Sequence, residues 1–271
     1  MLRQRVLSGV VLIIPVLAII VAGGGWFVGV VLLAFSLAAI EYTHLLACRG
    51  HRVFGGLLLL WVFLFFMDRM FPVIGLQTWG MATLLLLTLA WTIARYRQGT
   101  PNALTGFAFT LAGAVLLGWT GAHFIGLRAL PDGLFWTLTV IGAVWLADTA
   151  AYGVGSALGV TPLIPDISPK KTWEGYLGGV VVGAAGGAGL TLLWRLLGAG
   201  PTVTPLHGLV IGLLSAIISP LGDFMVSLIK RYAGAKDSSH LIPGHGGLLD
   251  RLDSLMIAAI LGYYYLTLFV L

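Results

Sequence analysis

Long apolar runs separated by short polar stretches cover most of the sequence. A helix that spans a bilayer needs roughly 20 mostly apolar residues, so each long run is a candidate transmembrane helix. Nine candidate spans follow from the pattern: Leu7–Ala22, Trp26–Leu46, Val53–Met67, Met70–Ala94, Leu104–Leu127, Gly133–Tyr152, Tyr176–Leu197, Leu206–Arg231 and Leu255–Leu271. The sequence therefore predicts an all-α fold, a polytopic membrane helical bundle of about nine transmembrane helices. We expect a single membrane domain over residues 1–271.

The first run resembles a secretory signal peptide as well as a transmembrane helix. Arg3 and Arg5 give it a basic start, and Gly23–Gly25 give it a small-residue end. Because further apolar runs follow at once, we interpret it as a retained first span.

Composition agrees with a membrane protein. Of the 271 residues, 59% are hydrophobic and only 9% are charged, and the mean hydropathy is +1.01. Soluble proteins carry roughly 25% charged residues, so this composition excludes a soluble enzyme. Cys48 is the single cysteine, which rules out an intramolecular disulfide and a zinc site built from several thiolates.

The charged residues predict an orientation. With the N-terminus inside, twelve basic residues fall on the cytoplasmic side and three on the other. The twelve are Arg3, Arg5, Arg49, Arg52, Arg95, Arg97, Lys170, Lys171, Lys230, Arg231, Lys236 and Arg251; the three are Arg69, Arg128 and Arg195. The net charge of +5 therefore indicates topology and contact with anionic lipid, and we expect no nucleic-acid partner. Eight of the ten acids fall on the cytoplasmic side too, which indicates a function at that face.

The two halves of the chain differ in chemistry. Residues 1–140 are apolar spans with short loops, and residues 141–271 contain most of the polar motifs, so we expect the catalytic half there. The seventh span carries Gly175, Gly179, Gly183 and Gly187 at a spacing of four. Small residues on one helix face let another backbone approach closely. This stripe favours packing inside the bundle, with a homodimer contact as the alternative.

A cluster of acids and bases begins in the eighth span. Pro220 should break this helix and leave Asp223 at a kink. Asp223, Ser227 and Lys230 or Arg231 then follow at helical spacing and share one face. Further along, a glycine turn at residues 243–247 precedes Asp250 and Asp253.

Carboxylates near a bilayer are costly unless they are paired or bind a cation, and Mg²⁺ prefers carboxylate and phosphate oxygens. These residues therefore predict a metal and phosphate site. The alternative is a salt-bridge network that pairs Asp250 with Arg251 and Asp223 with Lys230.

A second polar segment contains Ser168, Pro169, Lys170 and Lys171. We expect it to be a loop that leads into a helix start, where free N–H groups and two ammonium groups would bind an anion. The alternative is that the lysines are anchors whose charged ends reach the membrane surface.

The spaced residues resemble a known family. Two segments, 148–179 and 222–254, are similar to the signature blocks of phosphatidate cytidylyltransferase, also called CDP-diacylglycerol synthase. They include the runs Ser168-Pro169-Lys170-Lys171-Thr172-Trp173-Glu174-Gly175 and Ser227-xx-Lys230-Arg231-xxxx-Lys236-Asp237, followed by His245-Gly246-Gly247-xx-Asp250-Arg251-xx-Asp253. The resemblance implies transfer of CMP from CTP to phosphatidic acid, with release of pyrophosphate.

The resemblance also implies roles for individual residues. Catalytic roles go to Asp223, Asp250, Lys230, Arg231, Lys236, Asp237, His245 and Arg251. Phosphate and substrate binding goes to Ser168, Lys170, Lys171, Thr172, Ser227, Gly246, Gly247 and Asp148. By the resemblance, Mg²⁺ would be held by Asp223 and Asp250, and a second, monovalent cation is an option. To these two ligands we add Asp253 as a weaker ligand or orienter. The chain departs from the family pattern at Val226, commonly Glu, and at Ser156, commonly basic, while Glu41 is similar to a family acid without an assigned role.

Two other functions compete. A secondary transporter also uses intramembrane acids and glycines, although no inverted repeat is visible here. A CTP-dependent lipid kinase of the polyprenol type would use similar substrates. On the leading interpretation the active site faces the cytoplasm, at the inner membrane if the protein is bacterial.

Overall fold

The computed structural model describes residues 14–71, 76–239, 241 and 246–271, without the side chains of residues 76 and 77. Helix α1 covers residues 14–22 of this part. The remaining elements are α2 (Gly24–Ala47), α3 (Gly55–Met70), α4 (Leu76–Arg97), α5 (Ala103–Gly113), a π-helical segment (Ala114–Trp119), α6 (Thr120–Ala129), α7 (Gly133–Leu158), β1 (Pro162–Ile164), β2 (Ser168–Thr172), α8 (Trp173–Leu196), α9 (Pro205–Ile218), α10 (Pro220–Ala233) and α11 (Leu249–Phe269). The predicted helical class is confirmed.

Six helical stretches in the described part of the chain are long and apolar enough to cross a membrane, and two of them join consecutive elements, α5 to α6 and α9 to α10. They are Gly24–Ala47, Ala103–Ala129, Gly133–Leu158, Trp173–Leu196, Pro205–Ala233 and Leu249–Phe269. The protein is therefore an integral membrane protein, as predicted. Helix α3 has 16 residues, fewer than the roughly 20 that a perpendicular span needs. The predicted first span lies partly outside the described residues, and the count of nine crossings stays a prediction.

The chain forms two compact units. The first consists of Met1–Gly126 and Ile229–Leu252, and the second of Leu127–Leu228 and Asp253–Leu271. The predicted single domain, with its division near residue 140, stays a prediction.

The glycine stripe on α8 packs inside the second unit. A Cβ added at Gly179 would lie 2.9 Å from the backbone oxygen of Ala147 on α7, and one at Gly183 would lie 2.8 Å from the Cβ of Ala216 on α9. At Gly187 an added Cβ would overlap the backbone oxygen of Gly208. The interpretation as bundle packing is confirmed, and a homodimer stays an untested prediction.

Gly187→Ala should destabilise the protein, because the new methyl group has no space against Gly208. We expect the free energy of unfolding to fall by about 2 kcal/mol, as overpacked cores usually show. Thermal unfolding of the detergent-purified protein measures this. Gly189→Ala on the same helix is the control, since nothing lies within 4 Å of its added Cβ. Equal effects of the two substitutions would contradict the packing argument.

The predicted break near Pro220 is confirmed. Helix α9 ends at Ile218 and α10 begins at Pro220, with Ser219 between them. The expectation that Asp223 lies at the kink is wrong, because Asp223 belongs to the first turn of α10. Proline is tolerated in the first helical turn, where its missing N–H is not needed, so the helix restarts at Pro220 itself.

The segment at Ser168 is a strand, so the expectation of a loop is wrong. Strand β2 pairs antiparallel with β1, and Pro162 lies opposite Thr172. Helix α8 follows directly, with Thr172 Oγ1 accepting a hydrogen bond from the backbone N–H of Gly175 at 3.2 Å. The Glu174 carboxylate also accepts a hydrogen bond from the backbone N–H of Thr161 at 3.2 Å, which ties the helix start to the residue before β1. The pairing with β1 and these hydrogen bonds at the start of α8 hold residues 168–172 in an extended conformation.

Candidate functional site

Asp223 lies in the second unit and forms an ion pair with Lys171 of β2. Ser227 Oγ, one turn further along α10, donates a hydrogen bond to Asp223 Oδ1 at 3.2 Å. The Lys171 ammonium also lies 4.5 Å from the centroid of the Phe224 ring, within the range of a cation–π contact. Both charged side chains are partly exposed, 35% for Lys171 and 27% for Asp223. The hairpin thus brings a cation to a carboxylate that solvent can reach.

Asp250 lies in the first unit, in the first turn of α11, and forms an ion pair with Lys230 of α10. Its Oδ2 accepts a hydrogen bond from the backbone N–H of Ser238 at 2.8 Å and lies 2.9 Å from the Ser238 hydroxyl, which has a single hydrogen to share between Asp250 and Glu41. The backbone N–H of Gly247 donates to the same oxygen at 3.2 Å. The Lys230 and Asp250 side chains are only 12% and 7% exposed. Asp250 is therefore a buried carboxylate that a lysine and neutral donors balance.

These contacts correct the salt-bridge alternative. Asp223 pairs with Lys171 instead of Lys230, and Asp250 pairs with Lys230 instead of Arg251. The first pairing joins residues 52 positions apart and the second joins residues 20 positions apart. Tertiary structure, not helical spacing, selects the partners.

The glycine turn lies against Asp250. Gly246 has φ +74°, a conformation that favours glycine. A Cβ at Gly247 would overlap Ser238 Oγ and the Glu41 carboxylate. The N–H of Gly247 donates a hydrogen bond to Asp250 Oδ2 at 3.2 Å. His245 and the rest of the predicted turn lie outside the described residues.

Sequence reasoning found no role for Glu41, which the structure connects to the Asp250 loop. Glu41 is 6% exposed on α2 and accepts hydrogen bonds from Ser238, Ser239, Leu248 and Leu249. A carboxylate inside an otherwise apolar span was the signal that could have identified it.

The other predicted site residues are placed as follows. The exposed side chains are those of Lys170 on β2, Asp148 on α7, Arg231 at the end of α10, Lys236 and Asp237 in the turn after it, and Arg251 on α11. Ser168 pairs with Ile164 in the hairpin. Asp253 Oδ1 accepts a hydrogen bond from the backbone N–H of Ser254 at 2.6 Å. Val226, one of the two departures, is fully buried, and the other, Ser156, donates to the backbone oxygen of Gly153 at 2.9 Å.

A family model described as cytidylyltransferase family matches residues 3–269. The chain belongs to this family. Phosphatidate cytidylyltransferase of Bacillus subtilis (strain 168) is 33% identical over 99% of this chain and 98% of its own length. The proteins of the same name from Synechocystis sp. and Haemophilus influenzae are 35% and 32% identical, each over 98% of this chain and over 96% and 99% of their own lengths.

The next question is whether the described carboxylates of this cytidylyltransferase could hold Mg²⁺. No group of three or more His, Cys, Asp and Glu side chains in the described ranges could hold a metal ion. Mg²⁺ is commonly held by one or two carboxylates together with waters and substrate phosphates. Asp223 and Asp250 each have one oxygen that faces a lysine ammonium. Within its own unit, each carboxylate has the donor type that Mg²⁺ prefers, and substrate phosphates and waters would have to supply the other ligands.

An open cavity of about 570 Å³ lies in the first unit of the cytidylyltransferase. Its lining includes Phe54, Leu60, Trp91, Arg52 and Arg95. None of the predicted site residues that the structure describes is among its lining residues.

Proposed function

We propose that this chain transfers the CMP group of CTP to the phosphate of phosphatidate, forming CDP-diacylglycerol and pyrophosphate. An oxygen of the lipid phosphate attacks the α-phosphorus of CTP, and the bond from that phosphorus to the β-phosphate oxygen breaks. No covalent enzyme intermediate is required. The observation that carries the proposal is the similarity to three phosphatidate cytidylyltransferases over 98% or more of the chain.

The two lysine–carboxylate pairs suit this reaction. Lys171 and Lys230 each neutralise one carboxylate, so a phosphate that approaches either pair offers that ammonium group a second anion. Charge that develops on phosphate oxygens during transfer is stabilised by such positioned cations. We therefore assign phosphate binding to both lysines, each within its own unit.

We also propose Mg²⁺ as the cofactor, with Asp223 and Asp250 as its protein ligands and Asp253 as a weaker one. A bound Mg²⁺ would neutralise phosphate charge and make pyrophosphate a better leaving group. The support is the type of the donor atoms and their position beside lysines. A second, monovalent cation stays a prediction.

Product analysis tests the reaction. Purified protein is incubated with CTP labelled in the cytidine, with phosphatidate and with Mg²⁺. The expected products are labelled CDP-diacylglycerol and unlabelled pyrophosphate, in equal amounts. A polyprenol-type kinase would instead release CDP and phosphorylate a lipid alcohol. Absence of any CTP turnover, together with solute uptake by proteoliposomes, would favour the transporter.

We propose that the motif loops face the cytoplasm, because twelve of the fifteen basic residues lie on that side in the predicted topology. In a Cys48→Ser background, Lys170→Cys and Lys236→Cys should react with an impermeant maleimide only after the cells are permeabilised. Arg195→Cys is the outward control and should react in intact cells. The reverse pattern of labelling would contradict the orientation.

A further inference from the structure

We propose that Glu41 and Ser238 are positioning residues that fix the Asp250 carboxylate for catalysis. The role rests on the proposed function, since it assumes that Asp250 acts in the transfer reaction. All the contacts that support it lie within the first unit.

Glu41 anchors both ends of the segment that surrounds Asp250. Its Oε2 accepts hydrogen bonds from Ser238 Oγ at 2.8 Å and from the backbone N–H of Leu249 at 2.9 Å. Its Oε1 accepts from Ser239 Oγ at 2.6 Å and from the backbone N–H of Leu248 at 3.1 Å. The two backbone donors belong to the start of α11, where a carboxylate satisfies free N–H groups and interacts favourably with the helix dipole. Glu41 thereby holds the helix turn that carries Asp250.

Ser238 connects the two carboxylates. Its hydroxyl lies 2.8 Å from Glu41 Oε2 and 2.9 Å from Asp250 Oδ2, and its backbone N–H also donates to Asp250 Oδ2. Because these donors occupy Oδ2, the other oxygen, Oδ1, faces Lys230. Ser238 therefore determines which oxygen of Asp250 is directed toward the cation.

The arrangement is closely fitted. Glu41 and Ser238 are 6% and 8% exposed, and no space remains for a side chain at Gly247 between them. The four donors to Glu41 are two hydroxyls and two backbone N–H groups. Placing a carboxylate in an apolar helix with only neutral donors costs folding free energy. Its contact with the Asp250 loop is the function that we propose for it.

Adjacent serines supply a matched test. Ser238 and Ser239 both donate to Glu41, but only Ser238 also contacts Asp250. Ser238→Ala should lower kcat about tenfold, the effect of one lost hydrogen bond in the transition state, while the KM values for CTP and phosphatidate change less than about twofold. Ser239→Ala should keep kcat within about twofold of the wild type. Ser238→Thr, which restores a hydroxyl, should recover most of the lost kcat.

Two controls separate this role from simple folding. Thermal unfolding of both alanine variants measures how much stability each loses with its hydroxyl contact to Glu41. Equal losses of kcat in the two variants, or a loss for Ser238→Ala that Ser238→Thr does not rescue, would overturn the positioning role. A wild-type protein that makes no CDP-diacylglycerol in the same assay would instead overturn the proposed function, and the positioning role of Glu41 and Ser238 with it.

Discussion

Asp250→Asn should lower kcat for CDP-diacylglycerol formation by about a thousandfold, equivalent to about 4 kcal/mol of lost transition-state stabilisation. The amide has nearly the shape of the carboxylate but lacks its charge. It offers one acceptor oxygen where Asp250 has two, and these face Lys230, Ser238 and Gly247. At least one of these donors would therefore face the amide NH₂ group, which cannot accept its hydrogen bond. The negative charge that orients Lys230 would also be lost.

A charge-balanced double variant separates catalysis from stability. Lys230 is 12% exposed, and leaving one member of a buried ion pair without its partner costs about 3–5 kcal/mol of stability. Asp250→Asn combined with Lys230→Met removes the unpaired charge, so its unfolding temperature should return toward that of the wild type while its activity stays lost. Asp166→Asn, at an exposed residue before β2, is the control. Activity of Asp250→Asn above about a tenth of the wild-type rate would show that the carboxylate is not part of the catalytic machinery.

Asp223→Asn should lower kcat about a hundredfold with little loss of stability. Its ion pair with Lys171 is partly exposed, and exposed pairs contribute at most about 1 kcal/mol to folding. Loss of the charge affects the reaction more, because it removes both the anion that orients Lys171 and the proposed Mg²⁺ ligand. Steady-state kinetics over a range of Mg²⁺ concentrations measure the effect.

The Mg²⁺ dependence distinguishes two explanations of such a loss. A ligand substitution should raise the Mg²⁺ concentration needed for half-maximal rate as well as lowering kcat. Lys171→Met, which leaves the carboxylate in place, should lower kcat without increasing that requirement. If both substitutions leave the Mg²⁺ requirement unchanged, Asp223 does not bind the metal.

The sequence predicts the helices better than it predicts the site. Long apolar runs predict the helices, and Pro220 correctly marks the break between α9 and α10. The hydrogen bond between Ser227 and Asp223 also follows from helical spacing. These features are local, so the residue types along a short stretch are enough to specify them.

The ion pairs and the role of Glu41 depend on contacts that are distant in sequence. Glu41 and Ser238 are 197 positions apart, and no periodicity relates a residue on α2 to a loop before α11. The hairpin was missed for another reason. Two short strands that contain proline and lysine lack the alternation typical of a half-buried sheet, and the Glu174 carboxylate of the following helix bonds to Thr161, the residue before β1.

The hairpin has a consequence for the two adjacent lysines, which look equivalent in the sequence. Successive side chains of a strand leave on opposite sides, so β2 directs Lys171 to Asp223 while Lys170 is exposed. A displacement of the strand by one residue would exchange the two, leaving Lys171 outside and Lys170 within. Which lysine contacts Asp223 therefore depends on the alternation of side chains along β2. Lys170 cannot replace Lys171 unless the pairing of β1 with β2 also changes.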